Sequence, residues 1–309
     1  MPRIVYIAGY GRSGSTLLDI LLGNHPRMFG VGEVSAFFQE WSGGTPCSCG
    51  HSLEACPFWS EVIDRLRAAL PDLTPLAAEQ ITRKVEVARI GRLAPGGDAE
   101  DHKTYSRLWR AFMVAVSQAS GRDIVIDSSK NSRPVSRRIA GLTELCGFDV
   151  RVIHLIRDPR ATMWSALRGA NRALEQGQQG TVRGGAYKAL LGWWLANLSV
   201  HRTTTMDRQL RVFRLRYEDL VSHPGQELQK LGAFLELDLT SVIDEVVNYG
   251  PFEPGHGIKG NRMRRAGPVR LKLDEEWKTA LPTHARMLAP LSWPLANRYG
   301  YKVLRSARQ

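Results

Sequence analysis

Four short apolar stretches, rich in β-branched residues, each run directly into a cluster of polar residues, and this pattern strongly constrains the fold. The stretches are 4–8, 124–126, 150–156 and 212–215. Helical patterns lie between them, and strands that alternate with helices predict an α/β protein whose parallel sheet is covered by helices on both faces. Ligands bind beyond the carboxyl ends of the strands in such sheets. All four polar clusters follow those ends, so the sequence predicts a ligand site there.

The chain has 309 residues, enough for one large α/β domain or two small ones. Two segments, 93–101 and 176–185, have the composition of loops. The strand pattern resumes after each of them, so neither is a domain linker. We therefore expect a single domain over 1–309, with loop insertions.

The sequence contains no run of 18 apolar residues, so we predict no membrane-spanning segment. The N-terminus lacks a signal peptide, because the apolar run after Arg3 is short and stops at Gly9. These two features favour a cytoplasmic location.

The formal net charge of +12 favours an anionic partner, which could be nucleic acid, a membrane surface or a multiply charged small molecule. The basic residues are spread along the chain, and a solvated basic surface accounts for most of them. A local basic cluster comprises Arg262, Arg264, Arg265 and Arg270.

The segment 9–16 reads GYGRSGST, which matches the spacing of a nucleoside-triphosphate loop except that Ser15 stands where the lysine belongs. Backbone N–H groups of such a loop, together with the dipole of the helix that follows, hold a phosphate. Arg12 offers a planar fork suited to bidentate contact with a phosphate or sulfate. The missing lysine argues against a γ-phosphate and against kinase or GTPase chemistry.

Two motifs together resemble the sulfotransferases that use PAPS (3′-phosphoadenosine 5′-phosphosulfate) as donor. GYGRSGSTLLDILLG is similar to their 5′-phosphosulfate loop, in the arginine-bearing form of tyrosylprotein and carbohydrate members. VIHLIRDPRATMWSALRG, residues 152–169, which overlaps the predicted segment 150–168, resembles their 3′-phosphate segment. In that segment an arginine at a strand end and a serine eight residues later hold the ribose phosphate, and Arg157 and Ser165 have this spacing. The resemblance implies a P-loop-type fold, PAPS as donor, PAP as product and a hydroxyl-bearing acceptor.

The resemblance extends over nearly the whole chain. FRLRYEDLVSHP is similar to a family segment whose tyrosine, here Tyr217, lies near the nucleotide, and GHGIKGNRMR, within 255–265, resembles the late loop that closes over it. The insert PCSCGHSLEACPFW resembles one in bacterial members and implies a bacterial source. The donor-binding residues implied are Arg12, Ser13, Gly14, Ser15, Thr16, Arg157, Ser165, Tyr217, Gly260, Asn261 and Arg264.

Sulfuryl transfer needs a base for the acceptor hydroxyl and a cation for the departing nucleotide. Glu33 follows a glycine at the end of a short apolar stretch, 28–31, and tyrosylprotein sulfotransferases place a catalytic glutamate at such a point. His25 is the rival base, although it lies in a helix stop. Lys130, with Arg12 beside it, is the predicted cation. Asp127 is expected to hold Lys130 or a backbone amide.

No carboxylate cluster calls for a metal, and we expect none. Cys47, Cys49 and Cys56 have a C-x-C spacing plus one lone cysteine, which fits the paired C-x₂-C pattern of zinc sites poorly. This spacing favours a loop of buried thiols or one disulfide over a zinc site with His51 as its fourth ligand.

Other readings remain open from sequence alone. A P-loop kinase or phosphotransferase would need the missing lysine and a magnesium carboxylate. A polyanion-binding or nucleic-acid-binding module would use the positive charge without the Arg157–Ser165 spacing. Tyr187, Trp193 and Trp194 could line an acceptor pocket, but their helical spacing favours core packing. Sugar, lipid, phenol and polyketide hydroxyls all fit as acceptors, and nucleic acid is not expected as a partner.

Overall fold

The computed structural model describes residues 1–87, 94–130, 137–168, 185–260 and 262–304. Five parallel strands form one sheet in the order β2-β3-β1-β4-β5. The strands are β1 Arg3–Ala8, β2 Met28–Gly32, β3 Ile124–Asp127, β4 Val150–Ile156 and β5 Arg211–Arg216. Each coincides with one of the apolar stretches of the sequence, so the predicted parallel α/β fold is confirmed.

Helices cover both faces of this sheet. They are α1 Ser15–Gly23, α2 Phe37–Ser42, α3 Pro57–Ala69, α4 Pro75–Glu86, α5 Ala99–Ser120, α6 Arg138–Ala140, α7 Pro159–Leu167, α8 Gly185–Met206, α9 Tyr217–Ser222, α10 Pro224–Leu235, α11 Thr240–Val247, α12 Trp277–Ala280, α13 Thr283–Leu288 and α14 Trp293–Arg298. No helix among the described residues is long and apolar enough to cross a membrane.

The alternation of side chains along β1 divides the core into two layers. Ile4 and Tyr6 belong to the apolar cluster that packs against α3 and α5. Val5 and Ile7 belong to the cluster that contains α1 and the apolar side of α10. Successive side chains of a strand point to opposite faces of the sheet. The all-apolar sequence of β1 therefore fits a central strand that is buried on both sides.

Local capping signals fix two helix starts. Asp158 caps α7 by accepting from the Arg160 amide, with Pro159 in the first turn, as the sequence predicts. The loop expected at 93–101 is shorter than predicted, because Asp98 forms a capping box that starts α5 at Ala99. The loop expected at 176–185 lies outside the described residues, except for Gly185 at the start of α8.

Candidate active site

The segment between β1 and α1, for which the sequence predicts phosphate binding, forms a tight turn that we call the phosphate turn. Arg12 and Gly14 both adopt positive φ, +72° and +94°. A Cβ atom added to Gly14 would lie 2.4 Å from Cδ2 of Tyr217, so this position accepts only glycine. Gly14 is also the residue that caps α1. The turn therefore brings the amino end of a nine-residue helix to the carboxyl edge of the sheet, where an anion is favoured.

A cleft of about 1280 Å³ opens in front of this turn. Ten predicted site residues line it: Arg12, Gly14, Ser15, Thr16, Glu33, Lys130, Arg157, Ser165, Tyr217 and Gly260. They come from the ends of β1, β2, β3, β4 and β5, from α7 and from the segment after α11. Basic side chains outnumber acidic ones among the described lining residues. The edge of the sheet thus brings separate motifs together in one cleft, whose excess of basic side chains favours an anion.

Arg157 is almost completely buried at the end of β4, and its guanidinium lies 4.4 Å from the Tyr217 ring centroid in a cation–π contact. One nitrogen donates to the Arg12 carbonyl at 3.2 Å, and another donates to Asp274 Oδ2 at 3.2 Å. The buried Nε has no hydrogen-bond partner among the described residues. Burial also raises the pKa of Tyr217, partly offset by Arg157. Asp274 is therefore the anionic partner of the Arg157 guanidinium at the cleft.

Glu33 and Lys130 meet directly in the cleft. Lys130 Nζ donates to Glu33 Oε1 at 2.6 Å, and the lysine side chain is 9% exposed. Arg12 lies close enough to interact with the same carboxylate: burial lowers the pKa of Arg12, while Tyr10 and Glu33 oppose that shift. The predicted base and the two predicted cations are therefore neighbours, although they follow the ends of three different strands.

The turn that carries Lys130 is held by a buried ionic network. Asp127 accepts from the Ser129 amide at 2.9 Å and from Arg138 Nε at 2.6 Å. Arg138 also donates to Glu86, and its guanidinium lies 3.9 Å from the Trp109 ring centroid. Asp127 was expected to hold either Lys130 or a backbone amide, and it holds the backbone amide of Ser129. Lys130 pairs with Glu33 instead.

Glu33 is positioned by a segment that pairs with β2. The Ile258 amide donates to the Val31 carbonyl at 2.9 Å, and the Glu33 amide donates to the Ile258 carbonyl at 2.8 Å. Gly32 has φ +77°, and a Cβ there would lie 2.3 Å from the Ile258 oxygen. This close approach explains why glycine precedes the glutamate. We call residues 255–260 the closing segment.

Two predicted donor-binding residues, Ser13 and Arg264, are not among the described residues that line the cleft. Ser13 is buried and is not among the lining residues. The Arg264 guanidinium is also buried, 2.5 Å from Asp19 of α1, and it donates to the Pro254 carbonyl at 3.2 Å. It therefore anchors the chain after α11 rather than lining the cleft. Asn261 lies outside the described residues.

The rival base and the candidate acceptor aromatics also lie away from the cleft lining. His25 is buried, and its ring contacts the Asp238 carbonyl and accepts from the Arg27 amide. Trp193 is fully buried and donates its indole N–H to the Arg157 carbonyl at 2.9 Å, so its predicted core packing is confirmed. Tyr187 is exposed, so the core packing favoured for it is wrong, whereas Trp194 packs against the cluster around Trp193.

Several cleft residues were not assigned to the site from the sequence. Arg168 lies one helical turn after Ser165, a spacing that puts both on one face and could have revealed it. From the sequence, Arg265 and Arg270 were recognised only as members of a basic cluster. Lys272 lies two residues after Arg270, a spacing that places two side chains on the same side of an extended segment. Asp274 carries no local signal.

Comparison with known proteins agrees with this geometry. A model described as "Sulfotransferase family" matches residues 2–241. The chain belongs to the sulfotransferase family. No curated protein matches the sequence.

Solved sulfotransferases resemble the chain over almost its whole length. The sulfotransferase domain from the curacin biosynthetic pathway has a TM-score of 0.54 at 19% identity, covering 98% of this chain and 99% of that domain. The sulfotransferase domain from the Synechococcus PCC 7002 olefin synthase has a TM-score of 0.48 at 22% identity, covering 97% and 96%. The sulfotransferase from Alicyclobacillus acidocaldarius has 0.46 at 12%, covering 98% and 97%. The first superposition establishes a P-loop-type α/β sulfotransferase fold.

Proposed function

We propose that this sulfotransferase moves the sulfuryl group of PAPS to a hydroxyl group of its acceptor and releases PAP. The observation that supports the proposal is the convergence of the phosphate turn, Arg157 with Ser165, and the Glu33–Lys130 pair on one cleft. Arg157 fits a second phosphate, since its buried Nε has no hydrogen-bond partner among the described residues. A triphosphate-specific enzyme would use a lysine at position 15, which is serine here.

The proposed chemistry is an in-line displacement. The acceptor oxygen forms a bond to sulfur as the bond from sulfur to the 5′-phosphate oxygen breaks, and PAP departs with the electron pair. Glu33 accepts the proton of the acceptor hydroxyl. Lys130 and Arg12 stabilise the charge that develops on the departing phosphate. The turn amides and Arg12 hold the 5′ end, while Arg157 and Ser165 hold the 3′-phosphate. Because the transition state is loose, positioning and electrostatic stabilisation supply most of the acceleration.

PAP is expected to stabilise the fold equally well with and without added Mg²⁺, because arginine, lysine and backbone amides meet its charge. At a PAP concentration of 100 Kd the stabilisation is about 2.7 kcal/mol. Thermal-shift measurements with PAP, ATP–Mg²⁺ and a heparin fragment check this. Stabilisation by ATP–Mg²⁺ alone would favour a phosphotransferase, and stabilisation by heparin alone would favour a polyanion-binding protein.

Arg157→Ala is expected to weaken PAP binding by roughly 10- to 150-fold, the equivalent of a charged hydrogen bond of about 1.5–3 kcal/mol. Binding of AMP, which lacks the 3′-phosphate, should change far less. Calorimetric titration of both nucleotides measures the difference.

Arg160→Ala is the matched control, because Arg160 lies three residues after Arg157 in the first turn of α7, pairs with Asp158 and is not among the cleft-lining residues. Arg157→Lys keeps the charge but loses the planar fork, so it should bind PAP with intermediate affinity. An equal loss for PAP and AMP in Arg157→Ala would place this residue elsewhere on the nucleotide.

A further inference from the structure

Four side chains with metal-binding atoms converge at the surface away from the cleft lining. They belong to Cys47, Cys49, Cys56 and His256, and their ligand atoms all lie within 4.8 Å of one another. Cys47 and Cys56 are buried, whereas Cys49 is exposed. The three cysteines lie in the insert before α3, and His256 lies in the closing segment. We propose that these four residues bind one structural zinc ion that fastens the closing segment to the insert.

The separations of the ligand atoms suit a single tetrahedral ion. Zinc with Zn–S bonds of about 2.3 Å and Zn–N bonds of about 2.0–2.1 Å holds its sulfur atoms about 3.8 Å apart, and sulfur and nitrogen about 3.6 Å apart. In this protein Cys49 Sγ lies 3.6 Å from Cys56 Sγ. His256 Nδ1 lies 3.8 Å from Cys47 Sγ and 3.2 Å from Cys56 Sγ. Three of the six separations are therefore close to those of a tetrahedral zinc shell, and all six are within 4.8 Å.

The donor set also selects the metal. Three thiolates and one imidazole form a Cys₃His set, which is typical of closed structural zinc sites. Magnesium, calcium and manganese prefer oxygen ligands, and none of the four groups offers one. With all four ligands supplied by the chain, the ion has no open position for substrate. Its role is therefore in folding and rigidity.

Backbone contacts hold His256 in position beside the cysteines. The Trp59 indole donates to the His256 carbonyl at 2.7 Å, and the Phe58 ring stacks on the imidazole with centroids 5.7 Å apart. Ser48 Oγ donates to the Gly255 carbonyl at 2.6 Å and accepts from the Gly257 amide at 2.8 Å. Two segments about 200 residues apart are thus joined on both sides of the proposed ion.

The cysteine spacing differs from paired C-x₂-C sites because one ligand comes from elsewhere in the chain. Cys47 and Cys49 lie in a tight turn, where the Gly50 amide donates to the Cys47 carbonyl at 2.9 Å and Gly50 has φ +90°. Cys56 is the residue directly before α3, with Pro57 in the first turn of the helix. His51, the fourth ligand considered from the sequence, is exposed and is not part of the group. His256 takes that place.

The proposed ion links the insert to Glu33 through His256 and Ile258. His256 is followed closely by Ile258, whose carbonyl accepts from the Glu33 amide. Lys259 pairs with Glu40 of α2, a second tie between the closing segment and the helices near the insert. Loss of zinc should therefore loosen the closing segment first. The zinc proposal does not depend on sulfuryl transfer, because it is tested by metal content.

Protein purified with reductant and dialysed into metal-free buffer is expected to contain about one zinc per chain by plasma mass spectrometry. Replacing the zinc with Co²⁺ should give the absorption bands of tetrahedral cobalt with thiolate charge transfer. In a parallel preparation without reductant, four thiols per chain should react in denaturant with chelator, since the chain has four cysteines. Two reactive thiols would reveal a disulfide and overturn the proposal. Failure of the reduced protein to take up added Zn²⁺ would also overturn it.

Variants locate the ion. Cys49→Ser and His256→Ala should lower zinc content after competition with a chelator, and His256→Cys should restore it by forming a Cys₄ site. His51→Ala and Cys146→Ser are the matched controls, because His51 is exposed and Cys146 is buried outside the group. Both should keep one zinc per chain. Full zinc retention by folded Cys49→Ser and His256→Ala would show that the ion binds elsewhere.

Discussion

Glu33→Gln is expected to lower kcat by about 10²- to 10⁴-fold, the range typical of losing a general base, while PAP affinity stays unchanged. The substitution keeps the size of the side chain and removes its basicity. In the native protein Lys130 Nζ lies 2.6 Å from the Glu33 carboxylate. The side-chain amide oxygen of the glutamine can still accept from Lys130, so packing around the pair should survive. Turnover with PAPS and calorimetric titration with PAP measure the two quantities separately.

Glu275→Gln is the matched control, because Glu275 lines the same cleft and pairs only with Lys278 on the surface among the described contacts. It should retain normal turnover. His25→Ala tests the rival base, and its buried ring contacts the Asp238 carbonyl rather than the cleft, so kcat should not fall. A normal rate for Glu33→Gln together with a slow His25→Ala would transfer the role to His25.

The elements that sequence predicted correctly carry their signal within a few residues. The five strands are short apolar runs, the phosphate turn is fixed by glycines at set spacing, and Asp158-Pro159 marks a helix start. Arg157 and Ser165, eight residues apart, both line the cleft, and their contact with a phosphate stays a prediction. A local sequence pattern is sufficient to predict a strand, a turn or a helix start, because each of these depends on the backbone conformation of neighbouring residues.

The contacts that sequence did not reveal join residues far apart along the chain. Asp274 reaches Arg157 across 117 positions, and His256 reaches Cys56 across 200. Arg264 was assigned to the nucleotide from its motif, yet it pairs with buried Asp19. Neither spacing nor composition records which distant segment packs against a given surface. The partners of these charged side chains and of the proposed zinc ligands are therefore seen only in the folded structure.

Asp19 illustrates how such a distant pairing supports the cleft. Its buried carboxylate accepts from the Gly32 amide at 3.2 Å and lies beside the Arg264 guanidinium. It thereby joins α1, the end of β2 and the chain that follows the closing segment. The phosphate turn and Glu33 are consequently held to the same buried group. The motif that assigned Arg264 to the nucleotide does not reveal its pairing with Asp19, because nothing in the sequence distinguishes Asp19 from other polar helix residues.

Lys130→Ala is expected to lower kcat by about 10²- to 10³-fold, comparable to losing one donor that stabilises developing negative charge. The mechanism of the loss differs from that of Glu33→Gln. Without Lys130 the charge on the departing phosphate is poorly stabilised, whatever the acceptor. A more acidic acceptor, such as a nitrophenol if the enzyme accepts one, should therefore restore much of the rate of Glu33→Gln and little of the rate of Lys130→Ala.

The double variant separates shared from independent contributions, because the two side chains form one ion pair at 2.6 Å. Residues in direct contact couple by about 0.5–3 kcal/mol, so the combined loss should differ from the product of the two single losses. Lys272→Ala removes another cation from the cleft lining and should leave the dependence on acceptor acidity unchanged. If acceptor acidity restored Lys130→Ala as fully as Glu33→Gln, Lys130 would act on the acceptor side, and stabilisation of the departing phosphate would fall to Arg12.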